Sequence, residues 1–312
     1  MKAAVIESYD APPAPAEFAN PISEAGNVAV DVELAAVNPV DLLIASGKFY
    51  AAQPPLPSVV GREGIAKLDD GSLAYFDSPV APYGSIGERT LLPEGSWHLL
   101  PEGLEPGKAL ACGIAGLAAY LSLKLRADTQ PGERVLILGA GGAVGQVGVV
   151  VAKKLGASRV VGATRNPESL NTTADESVSV IGTRDEVADR IRKAFGGEGP
   201  DVVLDPVWGV PAEAATEAMA FGGRLVQLGR AAGDTATFES ATVRGKCLQI
   251  LGHTNFAHSP EEKGSALQEM FSWAAEGDLS VPYEVLGLGQ ISEAWERQSA
   301  APGLKLTINP RA

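Results

Sequence analysis

The stretch Glu133-Arg-Val-Leu-Ile-Leu-Gly-Ala-Gly-Gly-Ala-Val-Gly145 decides how the rest of the chain is read. Residues 135–138 are a short unbroken apolar run, the pattern of a central parallel strand buried on both faces. Gly139, Gly141, Gly142 and Gly145 follow, and 146–155 then reads as a helix closed by Gly156. A strand, a glycine turn and a helix start make an anion site. The missing side chains let a pyrophosphate approach the backbone, and the free N–H groups and dipole of the first helical turn face its charge. The helix is rich in Val and Gly, so its intrinsic propensity is poor and burial must hold it. An ordinary tight turn before a core helix would carry the same letters, so the surrounding chain has to decide.

Working outward, 159–164 reads as a second strand and 178–181 as a third. Thr183-Arg-Asp-Glu186 is a capping box opening a helix that ends at Gly196. A fourth strand at 201–205, a helix at 211–219 and a fifth strand at 224–228 follow. A sixth strand, 248–251, comes without a clear intervening helix. Six strands with four helices between the first five is the count of an α/β doubly wound parallel sheet of the Rossmann type. Residues 1–110 have another texture, with short β-like runs (28–34, 73–76, 89–92) broken by Pro and Gly. An apolar helix is expected over 113–125. After the sheet, Ser259-Pro-Glu-Glu262 opens a helix to about residue 276. A short helix at 292–298 and a closing strand at 305–308 complete a tail able to rejoin the N-terminal module. The expected domains are 1–115, 116–252 and a return over 253–312.

A chain of 312 residues is long enough for two cores. A formal charge of −13 argues against a general nucleic-acid or anionic-membrane surface. The N-terminus reads as a first strand, because it lacks the apolar core of a signal peptide. No apolar run approaches the roughly 20 residues of a membrane span. Cys112 and Cys247, far apart in sequence, suit a reducing compartment. The expectation is a cytoplasmic protein.

Cofactor choice is written at the end of the second strand. An acid there accepts from both ribose hydroxyls and favours NAD, whereas a small polar residue followed by Arg accommodates a 2′-phosphate. Thr164 stands at that place, followed by Arg165 and Asn166, with no acid before Glu168. A guanidinium beside a small polar residue, with no acid, favours NADPH. The same letters also suit a surface Arg and a cap for the next helix.

With these residues in view, the chain resembles the medium-chain dehydrogenase/reductase superfamily, specifically its zinc-free quinone oxidoreductase-like branch. The resemblance rests on Asn38-Pro-Val-Asp41 with Gly47, on Pro57-Ser-Val-Val-Gly-Arg-Glu-Gly64, and on Tyr83-Gly-Ser-Ile-Gly-Glu88. It continues through Gly113-Ile-Ala-Gly-Leu-Ala-Ala-Tyr120, the glycine turn, Gly222-Gly-Arg-Leu-Val-Gln-Leu-Gly229 and the closing Lys305. It implies a GroES-like, mostly β catalytic domain around a Rossmann domain, with NADPH in the cleft. Zinc-dependent relatives carry a Cys near Asn38, a His in place of Arg62 and a four-Cys lobe after the Gly-His-Glu motif. None of these is present, so no metal site is expected.

Without zinc, hydride transfer to a quinone or similar activated carbonyl needs positioning and hydrogen bonds near the acceptor oxygen. The candidates are Asn38 through its amide, Asp41 and Tyr50. Many relatives hold a Tyr where this chain has Phe49, so Tyr50 is one place out of register. Asn38 and Asp41 also suit the cap of a helix starting near Pro39. The cofactor set implied is Gly139, Ala140, Gly141, Gly142, Ala143, Val144, Gly145, Thr164, Arg165, Asn166, Gly229, Arg230 and His253. Arg62 suits an anionic substrate or a salt bridge to Glu63 or Asp41. An enoyl-thioester or enone reductase and a dinucleotide-binding redox sensor with little catalysis remain as alternatives. The sixth strand should be a sheet edge, and relatives commonly pair there, so a homodimer is expected.

Overall fold

The computed structural model describes residues 1–9, 11–50 and 53–312. In chain order the first strands are β1 (Lys2–Ile6), β2 (Ala14–Glu17), β3 (Asn27–Val37), β4 (Ser58–Val59), β5 (Gly64–Lys67), β6 (Leu73–Phe76), β7 (Arg89–Pro93) and β8 (Trp97–Leu99). Then come β9 (Arg134–Leu138), β10 (Arg159–Thr164), β11 (Glu176–Ser179), β12 (Val202–Asp205), β13 (Arg224–Gln227), β14 (Gln249–Gly252), β15 (Tyr283–Gly287) and β16 (Lys305–Asn309). The helices that matter below are α1 (Pro39–Ala45), α2 (Pro106–Ala111), α3 (Leu117–Leu121), α4 (Ala143–Lys154), α5 (Arg184–Ala194), α6 (Gly209–Ala218), α7 (Ser240–Gly245), α8 (Pro260–Glu276) and α9 (Ile291–Ser299). They pack into two compact units, Met1–Ile114 with Leu267–Ala312, and Ala115–Ala266. The chain re-enters the first unit at Leu267, inside α8, rather than near residue 253.

The second unit is a six-stranded sheet in the order β11-β10-β9-β12-β13-β14, parallel throughout. This is the dinucleotide-binding order, in which the strand sequence reverses between β9 and β12. Its core holds Leu136, Val161, Ile191, Val203 and Leu225, all fully buried. Gly148 lets α4 lie close to the sheet, since a Cβ there would come within 2.6 Å of Leu204. Val147, Val149 and Val151 are also fully buried, and burial on this scale overrides their weak helix propensity.

Two expectations for this unit are corrected. Between β10 and β11 there is a single 3-10 turn, Pro167–Ser169, and no α-helix. Residues 170–175 are mostly short and polar, and β11 begins at Glu176, two residues earlier than the apolar run suggested. Between β13 and β14 a short helix, α7, does occur.

The first unit is mostly β. A sheet runs β15-β16-β3-β5-β6-β8, with β7 also paired to β3, beside a small sheet β2-β1-β4. The tail strand β16 pairs antiparallel with β3, placing Leu306 opposite Val37, and β3 pairs with β5, placing Ala35 opposite Gly64. Contrary to the expectation that no apolar run approaches a membrane span, the helical run Pro106–Arg126 has the length and apolarity of one. Its apolar window is 78% buried inside the protein, which marks a core helix.

Candidate functional site

In the second unit the glycine turn links β9 to α4 as expected. Gly139 adopts φ +63°, which favours glycine, and its carbonyl accepts from the Gly142 N–H at 2.9 Å. A Cβ on Gly145 would come 2.3 Å from the Gly139 oxygen, so that glycine closes the turn. Gly141 and Gly142 differ: a Cβ on either would meet nothing nearer than 3.5 Å. Their bareness answers to nothing in the protein and leaves backbone open to a ligand. Gly142 is the N-cap and makes no side-chain cap bond, so the N–H groups of Ala143, Val144 and Gly145 keep the partnerless state of a first helical turn. The Ala140 N–H is committed to the Ala163 carbonyl, tying the turn to β10.

Thr164 ends β10, half-buried, and its Oγ1 would lie 3.5 Å from a Cβ on Gly141. Arg165 and Asn166 follow on the surface. At β13, Gly229 packs so closely on Pro206 that a Cβ would lie 2.3 Å from the Pro206 carbonyl. Arg230 is exposed and pairs with Asp234 at 2.5 Å. His253, just after β14, hydrogen-bonds Asn255 through Nε2 at 3.0 Å, while its Nδ1 is buried without a partner. Burial pushes its imidazole down to about 4, so the ring is neutral near pH 7.

The 206–208 loop was not expected here. Val207 fills the space over Gly139, where a Cβ would meet it at 2.8 Å, and Pro206 fills that over Gly229. Buried Asp205 shapes this loop by accepting from the Val207 and Trp208 N–H groups at 2.9 and 2.8 Å. Trp208 adopts φ +59°, a conformation costly for a bulky side chain. An Asp closing an apolar strand is the one sequence signal that pointed to this loop.

In the first unit, Asn38 and Asp41 do bracket the start of α1. The Asp41 carboxylate accepts from the Asn38 backbone N–H at 2.7 Å. Asn38 does not return the bond with its side chain. Its Oδ1 accepts from Lys305 Nζ at 2.8 Å and its Nδ2 donates to Glu63 Oε1 at 3.0 Å. Lys305 also ion-pairs with Glu63 Oε1, while Glu63 Oε2 accepts from the Tyr75 hydroxyl at 3.0 Å and the Ile114 N–H at 2.6 Å. Asn38, Glu63, Tyr75 and Lys305 are all buried. A charge pair this deep survives only where every lone pair and proton finds a partner. Burial also pushes Asp41 up to about 7.

Arg62 does not pair with Glu63; it donates to the Asp77 carbonyl at 3.0 Å. Tyr50 is 73% exposed, its ring tilted against Phe49 with centroids 4.3 Å apart. It takes no part in the buried cluster. Glu63 and Lys305 are the residues that local sequence patterns missed, because they meet Asn38 only through the β3–β5 and β3–β16 pairings.

These donors do not suit a zinc ion. Asn38 and Glu63 already bond each other and an ammonium group, and the resemblance puts Arg62 where zinc-dependent relatives hold His. Among the described residues, no group of three or more His, Cys, Asp or Glu is placed to hold a metal.

Sheet order, glycine turn and bare helix start define a dinucleotide-binding unit. Residues 143–272 match the family model described as zinc-binding dehydrogenase. A quinone oxidoreductase-like protein 2 homolog of Nematostella vectensis is 27% identical over 300 residues, covering 91% of this chain and 82% of its own. An NAD-dependent alcohol dehydrogenase of Sulfolobus acidocaldarius is 27% identical over 244 residues, covering 66% and 70%. The quinone oxidoreductase of Thermus thermophilus, solved also in complex with NADPH, superimposes with a TM-score of 0.85 at 29% identity, covering 99% of this chain and 100% of that one. By sequence and by fold the chain resembles the quinone oxidoreductase-like branch of the medium-chain dehydrogenase/reductase superfamily, a family of dinucleotide-binding oxidoreductases.

Proposed function

We propose that the protein is an NADPH-dependent reductase that passes hydride to a quinone or a similar activated carbonyl compound without zinc. The observation that carries the cofactor choice is the end of β10. Arg165 is exposed and makes no ion pair among the described residues, one place past Thr164, which stands where a carboxylate would select NADH. Relatives carry names with either cofactor preference, so this chain's own residues have to decide.

Gly141 and Gly142 with the start of α4 would hold the pyrophosphate, and Thr164, Arg165 and Asn166 the 2′-phosphate. When bound, the nicotinamide supplies the hydride. The chain must then meet the charge that develops on the acceptor oxygen, and Asn38 is the donor assigned here: one N–H of its Nδ2 goes to Glu63 and the other remains. Asp41 holds the helix start that carries Asn38. Tyr50 has no acid role in this reading, which counts against an enoyl-thioester reductase using a tyrosine. Among the described residues β14 pairs on one side only, with β13, and its open edge supports a homodimer.

The test is oxidation of NADPH and NADH followed across quinones, enones and enoyl thioesters, with elemental analysis of the purified protein. Faster turnover of quinones with NADPH and less than stoichiometric zinc are expected. A preference for NADH, or activity lost on chelation, would overturn the reading. Tight NADPH binding without turnover of any acceptor would point to a sensor.

A further inference from the structure

We infer that Glu63 and Lys305 are positioning residues that fix the polarity of the Asn38 side-chain amide, so that its remaining N–H stays available to the acceptor oxygen. The inference rests on the reading of Asn38 as the donor, and extends it to two residues to which no role has been assigned. Asn38 ends in a planar amide. Its oxygen and nitrogen have nearly the same shape, and in an uncharged site the group can turn over at little cost. Here it cannot. The oxygen faces an ammonium, which only donates, and the nitrogen faces a carboxylate, which only accepts. Turning the amide over would set NH2 against Lys305 and oxygen against Glu63, two repulsions among buried groups.

The carboxylate is itself held. Tyr75 and the Ile114 N–H occupy Oε2, leaving Oε1 for Asn38 and Lys305. Gly113 makes that approach possible: the helical path breaks there, at φ −64° and ψ −130°, and a Cβ would come within 2.2 Å of Glu63 Oε2. The strand pairings supply the rest, since Asn38, Glu63 and Lys305 each stand one residue outside β3, β5 or at the first place of β16, on neighbouring strands.

The experiment is a double-variant cycle with NADPH and the best acceptor from the panel above. Asn38→Ala should lower kcat by about a hundredfold, the usual loss of one oxyanion donor. Lys305→Met should lower kcat by about tenfold with KM and NADPH affinity unchanged, and should have no further effect once Asn38 is Ala. Independently of turnover, hydrogen exchange at the Asn38 side-chain amide should quicken in Lys305→Met. If Asn38→Ala leaves kcat unchanged, the donor reading fails. If Asn38→Ala lowers kcat but Lys305→Met multiplies that loss, or leaves the amide exchange unaltered, the donor stands and the positioning role is overturned. Should Lys305→Met fold poorly, Glu63→Gln/Lys305→Met removes both charges and runs through the same cycle.

Discussion

The glycine turn and the buried cluster answer the demands of a reaction site in opposite ways. The turn works by omission: at Gly141 and Gly142 it lacks side chains, and at the start of α4 it lacks a cap. The cluster works by saturation, with every oxygen of Glu63 and both ends of the Asn38 amide taken. An omission can be tolerated by the empty fold, because water satisfies the exposed backbone. A saturated charge cluster is part of the fold, and losing one member leaves another stranded.

That contrast can be broken most forcefully at Lys305. Lys305→Ala should strand the Glu63 carboxylate and lower stability by roughly 3–5 kcal/mol, the usual cost of breaking a buried pair. Chemical denaturation measures it, and a loss below about 1 kcal/mol would place the cluster with ordinary surface pairs. On the other side, Arg165→Ala should leave stability unchanged and weaken NADPH relative to NADH by about ten- to a hundredfold. The ratio of the two dissociation constants is the quantity to follow, and an unchanged ratio would remove the electrostatic basis for cofactor choice.

A finer comparison lies within the turn. Gly142→Ala should lower NADPH affinity by roughly tenfold with an unchanged melting temperature, while Gly145→Ala should lower the melting temperature itself, as overpacking by one methyl does. Equal effects of the two substitutions would mean that the turn does not divide into an open and a closed half. The smallest effect is expected at Asp41. Its folded pKa, about 7, is raised by burial, so its contribution to stability is present below the ordinary aspartate range and lost as pH rises through 7. Asp41→Asn can still accept from the Asn38 N–H and should flatten the decline in stability between pH 4 and 8 by about 1 kcal/mol or more. A wild-type profile as steep in the variant would exclude Asp41 as its source.

The same contrast explains what could be read from the amino-acid order. Omissions are local: the glycines, Thr164-Arg165-Asn166 and the Thr183 to Glu186 capping box lie within a few residues, and the structure has the turn and the box where they were expected. The strand count followed, because the central strands announced themselves by apolar runs. Saturation is not local. Lys305 reaches back to residues 38 and 63, and no spacing along the chain announces that meeting. Glu63 next to Arg62 suggested a neighbouring ion pair, yet Arg62 reaches the Asp77 carbonyl while Glu63 turns into the buried cluster. The absent helix before β11 failed for another reason, since Asn166-Pro167 caps a single turn as readily as a long helix.

The break at Gly113 carries a consequence for descent. A side chain at position 113 would take the space of both the Glu63 carboxylate oxygen and the Tyr75 ring edge, the two groups that bond each other. The three positions are therefore coupled in a fixed order: a lineage must first shrink or move the acid and the ring, and only then give up the glycine. Among related chains, glycine at 113 without this acid and tyrosine should be found, whereas the pair beside a larger residue should be missing.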